Sequence, residues 1–156
     1  MALLFMLAAD CKTKEKAEAF AQHFEGKSFE LSDGFISQLS CNIFKQGGAY
    51  WVRVMPSGCG QSGITRALED RFNEIAEQLY TLLKTAPPYR YAVIEVEAES
   101  YRDYDELLDN RMDVEQPGLV VSEQIWNALG KPPPFDNFVC GYKWIPFEQF
   151  KLRGPR

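Results

Sequence analysis

The chain has 156 residues, 46% of them hydrophobic and 13% aromatic, and a formal net charge of −5. This length predicts one domain over residues 1–150 with a short basic tail over 151–156, and a core that buries roughly 70% of the unfolded surface without staples. A sequence pI near 5.0 argues against direct nucleic-acid binding, which needs basic stripes to neutralise phosphates.

Leu3 to Ala8 is a short apolar run and reads as a buried strand. The apolar stretch from Ala2 to Ala9 lacks a preceding lysine or arginine and is too short for a typical secretory signal. Thr13 is placed to cap a helix in which Ala17, Phe20, Ala21 and Phe24 share one face, and Gly26 ends it. His23, the single histidine, reads as a surface or packing residue of that helix. Phe29 and Leu31 precede a turn at Asp33-Gly34. Leu39, Cys41 and Ile43 then alternate with polar neighbours, as a half-buried strand requires. Gln46-Gly47-Gly48 turns the chain, and Tyr50 to Met55 returns as the second strand of a hairpin.

Pro56 stops that strand, and a glycine-rich stretch leads into the longest helix. Ile64, Leu68, Phe72, Ile75, Leu79 and Leu82 form its apolar stripe, with Arg66, Glu69, Asp70, Arg71 and Glu77 facing outward, and Pro87-Pro88 ends it. Tyr91 to Val96 reads as a central strand. Asp103 to Asn110 reads as a short helix with Tyr104, Leu107 and Leu108 inward. After a turn at Pro117-Gly118, Leu119 to Val121 forms a short strand. Ser122 caps a small helix that buries Ile125, Trp126 and Leu129 and ends at Gly130. Pro132 to Pro134 is a stiff loop, and Val139 to Ile145 reads as one last strand. Hairpins mixed with helices predict an α+β fold, a largely antiparallel or mixed sheet packed against helices. No apolar run approaches the roughly 20 residues of a membrane span.

Cys11, Cys41, Cys59 and Cys140 form no C-x-x-C pair and have one histidine for company, so no zinc constellation is expected. Free thiols in a reducing cytoplasm are the simpler reading. Gly58-Cys59-Gly60-Gln61-Ser62-Gly63 matches G-x-G-x-x-G, follows a strand and opens a helix, as in a dinucleotide cradle. Against that reading, Pro56 and Ser57 intervene, and the preceding strand belongs to a hairpin. The acidic residue expected about 20 positions on is also missing: Glu95 and Glu97 lie 37 and 39 residues beyond Gly58. Cys59, near a helix N-terminus, would be the nucleophile of a rival reading as a small enzyme, with His23 as the only available imidazole base. The crowded acids Asp103, Asp105, Glu106 and Asp109 have the residue types for acid–base or metal chemistry but no Ca²⁺-loop pattern. The prediction is therefore no catalytic residue, no cofactor and no metal.

The charge distribution is the most informative feature. Between Glu95 and Glu115 stand nine acids and two arginines, a net −7, while the rest of the chain sums to +2. Such density is self-repelling and suits a basic partner, and tyrosine is a favoured interface residue. The candidate partner-binding residues are Glu97, Glu99, Tyr101, Asp103, Tyr104, Asp105, Glu106, Asp109, Asp113 and Glu115. A solvated acidic face is the plainer alternative.

A small acidic chain bearing such a patch, with segments such as Tyr91-Ala92-Val93-Ile94-Glu95-Val96-Glu97 and Gly118-Leu119-Val120-Val121-Ser122-Glu123-Gln124-Ile125-Trp126, resembles in kind the bacterial immunity proteins of contact-dependent and type VI secretion systems. The resemblance implies a cytoplasmic inhibitor that neutralises a cognate toxin domain with a basic surface by stoichiometric binding, without touching nucleic acid or membrane. It transfers no functional residue, because those proteins share no general motif. A structural adaptor subunit is a further alternative.

Overall fold

The computed structural model describes residues 3–58, 60–61, 66–96, 98, 101–109 and 116–149. Four helices and nine strands lie among them. In chain order these are β1 (Leu3–Lys12), α1 (Lys14–Phe24), β2 (Ser28–Glu30), β3 (Ile36–Gln46), β4 (Ala49–Pro56), β5 (Gly60–Gln61), α2 (Arg66–Leu83), β6 (Tyr91–Val96), α3 (Tyr104–Asp109), β7 (Val120–Ser122), α4 (Glu123–Ala128), β8 (Asp136–Val139) and β9 (Tyr142–Trp144). Eight strands follow the order β2-β3-β4-β1-β6-β7-β9-β8, and β5 pairs with the start of β1. Every pairing is antiparallel. The expected α+β class with a largely antiparallel sheet is what the chain forms.

Strand alternation divides the interior into two layers. Phe5, Leu7, Ala9 and Cys11 of β1 point to one face, where they meet Phe20 and Phe24 of α1 and Phe72, Ile75 and Leu79 of α2. The rings of Phe5 and Phe72 stack at 4.7 Å. Met6 and Ala8 point to the opposite face, where Trp51, Tyr91 and Val93 are covered by Leu107 of α3 and by Ile125 and Leu129 around α4. Burying both faces explains why β1 and β6 are nearly continuous apolar runs. Each large side chain so buried is worth about 1.5–3 kcal/mol.

Local signals account for most boundaries. Thr13 Oγ1 accepts the Lys16 amide at 3.3 Å, and Ser122 Oγ accepts that of Ile125 at 3.2 Å. The β3–β4 hairpin turns at Gly47-Gly48, and β6 is central as expected. Two expectations need correction. The final strand expected over 139–145 is a hairpin: β8 and β9 turn at Cys140-Gly141, with Gly141 at a φ of +90°. That positive φ suits a tight two-residue turn. Arg71, expected to point outward from α2, is half-buried, its guanidinium 4.0 Å from the centroid of Phe35. Cys11, Cys41 and Cys140 are free thiols. The tail over 151–156 lies outside the described residues.

Candidate functional site: the acidic helix α3

The segment 101–109 is fixed on the second face of the sheet by contacts at several points. Leu107 is fully buried. Tyr91 Oη donates to the Arg102 carbonyl at 2.6 Å, and Gln46 Nε2 donates to the Tyr101 carbonyl at 3.4 Å. Asp103 Oδ1 accepts the Glu106 amide at 2.9 Å, which caps the helix start. The same side chain occupies the space beside Gly47, where an added Cβ would stand 2.7 Å from Asp103 Cβ. A glycine in the hairpin turn therefore lets the chain ahead of α3 approach closely.

Tyr104 rests on an ion pair whose carboxylate is buried and whose guanidinium is half-buried. Its ring centroid is 3.9 Å from the Arg90 guanidinium carbon. Arg90 grips Asp10 at two points, Nε to Oδ1 at 2.8 Å and Nη2 to Oδ2 at 2.9 Å. Asp10 Oδ1 also accepts the Lys12 amide at 2.9 Å. Asp10 has no exposed surface, so its charge is tolerable only with such partners. Burial pulls the Arg90 pKa down, but the Asp10 carboxylate outweighs it and leaves Arg90 above its ordinary value. Local sequence pattern singles out neither Asp10 nor Arg90. The available signal was an acid closing the apolar run of β1.

The predicted partner-binding residues divide accordingly. Asp105, Glu106 and Asp109 are exposed together on α3, and Asp103 is half-buried. Among the described residues, no lysine or arginine forms an ion pair with Asp105 or Asp109. Tyr101 and Tyr104 are half-buried and engaged within the fold. Tyr101 packs edge-on against Tyr91 at 6.4 Å, and burial pushes its phenol up to about 12. Glu97, Glu99, Asp113 and Glu115 lie outside the described residues.

Glu95, at the start of the acidic segment, is half-buried and accepts a hydrogen bond from Gln116 Nε2 at 2.9 Å. Burial raises its pKa. It lines a cleft of about 420 Å³ with Phe5, Val96, Pro117 and Phe147 among its walls. The cleft offers carboxylates and amides, but neither an imidazole nor a thiol among the described residues lining it.

In the glycine-rich motif, Cys59, Ser62 and Gly63 lie outside the described residues. Gly60 pairs with Leu4 in the β5–β1 ladder, and the Gly58 carbonyl accepts from Arg71 Nη1 at 3.1 Å. His23 Nε2 lies 2.9 Å from the Leu82 carbonyl, near the other end of α2. Leu82 follows Arg71 by 11 positions, about 16 Å along a helix. His23 is therefore held far from the described neighbours of Cys59. Among the described residues, no group of three or more histidine, cysteine, aspartate or glutamate side chains is arranged to hold a metal, and no helix is long and apolar enough to cross a membrane. Comparison with protein-family models, with curated proteins and with solved structures gave no match.

Proposed function

We propose that this chain is a protein-binding inhibitor of the immunity-protein kind, docking a basic toxin domain through the exposed face of α3. One observation carries the reading: Asp105 and Asp109 share an exposed helix face, and no cation among the described residues pairs with them. The helix beneath is anchored by Leu107 and by the Tyr104–Arg90–Asp10 stack, so the charges are presented on a firm base. Fixed negative groups of this kind speed encounter with a basic surface and supply charge-assisted hydrogen bonds once docked. Inhibition follows if the docked face covers the toxin's substrate cleft.

The test is to examine the neighbouring reading frame for a toxin-like C-terminal domain and, where it encodes one, to mix that domain with this chain. The expected result is a one-to-one complex that abolishes the toxic activity. Reversing Asp105, Glu106 and Asp109 to lysine should slow association at least about tenfold at low salt, with the fold checked by circular dichroism. Unchanged association would remove α3 from the interface. Lack of any complex with that domain would remove the inhibitor reading itself.

A further inference from the structure

We infer that the outer edge of β3 is a homodimerisation surface, on which a second copy of this chain pairs its own β3 antiparallel. Beyond β2, which covers only Ile36 to Gln38, β3 has among the described residues a neighbouring strand on one side alone, β4. Leu39 exchanges backbone hydrogen bonds with Gly26 and Lys27 on the outer side. By strand alternation, residues 41, 43 and 45 also direct their amides and carbonyls outward. The Cys41 amide is satisfied by Glu25 Oε2 at 2.6 Å. Among the described residues, the outward amides of Ile43 and Lys45 have no partner.

The edge is also one of the few places where a large apolar side chain is left in solvent. Ile43 is 36% exposed, one of two exposed large hydrophobics among the described residues. It borders a cleft of about 470 Å³ between β3 and α1, which Glu18, Gln22 and Glu25 also line. An unpaired, partly apolar edge is a template for another strand.

Charge and register select a second copy as the occupant. A two-fold axis through Ile43 sets the two Ile43 residues opposite each other and places Lys45 of each copy opposite Cys41 of the other. All three side chains lie on the sheet face that carries α1, because residues two apart share a face. Lys45 of one copy thus lies beside the cleft that holds Glu18 and Glu25 of the other, and the arrangement repeats by symmetry. Glu25 exchanges the Cys41 amide for that ammonium, and the amide passes to the incoming Lys45 carbonyl. A self-complementary patch of this kind is what an isologous dimer requires.

Sedimentation of the intact chain from about 1 µM to 1 mM should show the mass doubling across that range, a span wide enough to reveal a short-edge dimer. Ile43→Pro removes an amide that the monomer does not use, on an edge strand where proline is tolerated, and should weaken association at least about a hundredfold. Lys45→Glu, a change on an exposed side chain, should weaken it about tenfold, and Lys45→Glu combined with Glu25→Lys should recover most of that loss. A monomer across the whole range overturns the proposal, including the case in which this edge takes up a strand from a different protein. A dimer indifferent to both Ile43→Pro and Lys45→Glu overturns it as well. None of these measurements involves α3 or a toxin domain, so they stand apart from the inhibitor reading.

Discussion

Asp10 shows how one residue governs a surface it never reaches. Its carboxylate is fully buried, and its two-point pair with Arg90 holds the guanidinium on which Tyr104 lies. Removing one partner of a buried pair strands the other charge, so Asp10→Asn should destabilise the fold by about 2–4 kcal/mol, less than for a fully enclosed pair because Arg90 reaches solvent. Urea unfolding measures this. A loss below about 0.5 kcal/mol would show that Arg90 finds water as good a partner as Asp10. Glu95 behaves in the opposite sense. Burial raises its pKa, so the fold holds that proton more tightly than the unfolded chain does. Its contribution is complete below the ordinary glutamate range and is lost as pH rises through the raised folded value. Glu95→Gln keeps an acceptor for Gln116 and removes the desolvated charge. It should therefore raise stability near neutral pH by less than about 1 kcal/mol, since Glu95 is partly solvated, with the gain vanishing by about pH 4. Paired urea midpoints at the two pH values decide the sign.

At the scale of elements, α3 is too short to persist alone and depends on its seat. Gly47 is part of that seat: its φ is +58°, and an added Cβ would collide with Asp103. Gly47→Ala should push the start of α3 off the hairpin and lower amide-exchange protection over 104–109, while β1 and β6 keep theirs. Equal protection in α3 would mean that Asp103 moves aside without disturbing the helix. The elements that sequence reading placed well are those whose signals are local: Thr13 before α1, Gly47-Gly48 between β3 and β4, and Ser122 before α4. Two features that escape such reading, β5 and the Asp10–Arg90 pair, depend on distant partners. β5 is two residues whose only warrant is pairing with Leu3 and Leu4. The Asp10–Arg90 pair spans 80 positions. The β8–β9 turn had a local signal in Gly141, but the flanking Val139 and Tyr142 have strong strand propensity and hid it. The acidity of α3 was legible from composition. That Tyr104 lies on Arg90 was not, because helical spacing identifies an inward face without saying what it meets.

Across the whole molecule, the separation of charge raises a question of cost, and α3 lets it be divided. Asp105 and Glu106 occupy the first turn of the helix, where carboxylates are favoured by the aligned peptide dipoles. Their presence there has a structural reason independent of any docking role. Asp109 has no such reason. It is the last residue of α3, where the dipole disfavours a carboxylate, and it stands four residues from Asp105, where like charges repel. Asp109→Lys would remove both penalties and set an acid–lysine pair in the favourable order along the helix. The isolated chain should gain about 0.5–1 kcal/mol. That gain should shrink at high salt, as screening removes surface electrostatics. If Asp109 is kept for a basic partner, the same variant should bind that partner more slowly and more weakly than the parent, despite being the more stable protein. Thermal unfolding and association kinetics on one preparation give both quantities. A variant that is stabilised and still binds unchanged would leave Asp109 as no more than part of a solvated face.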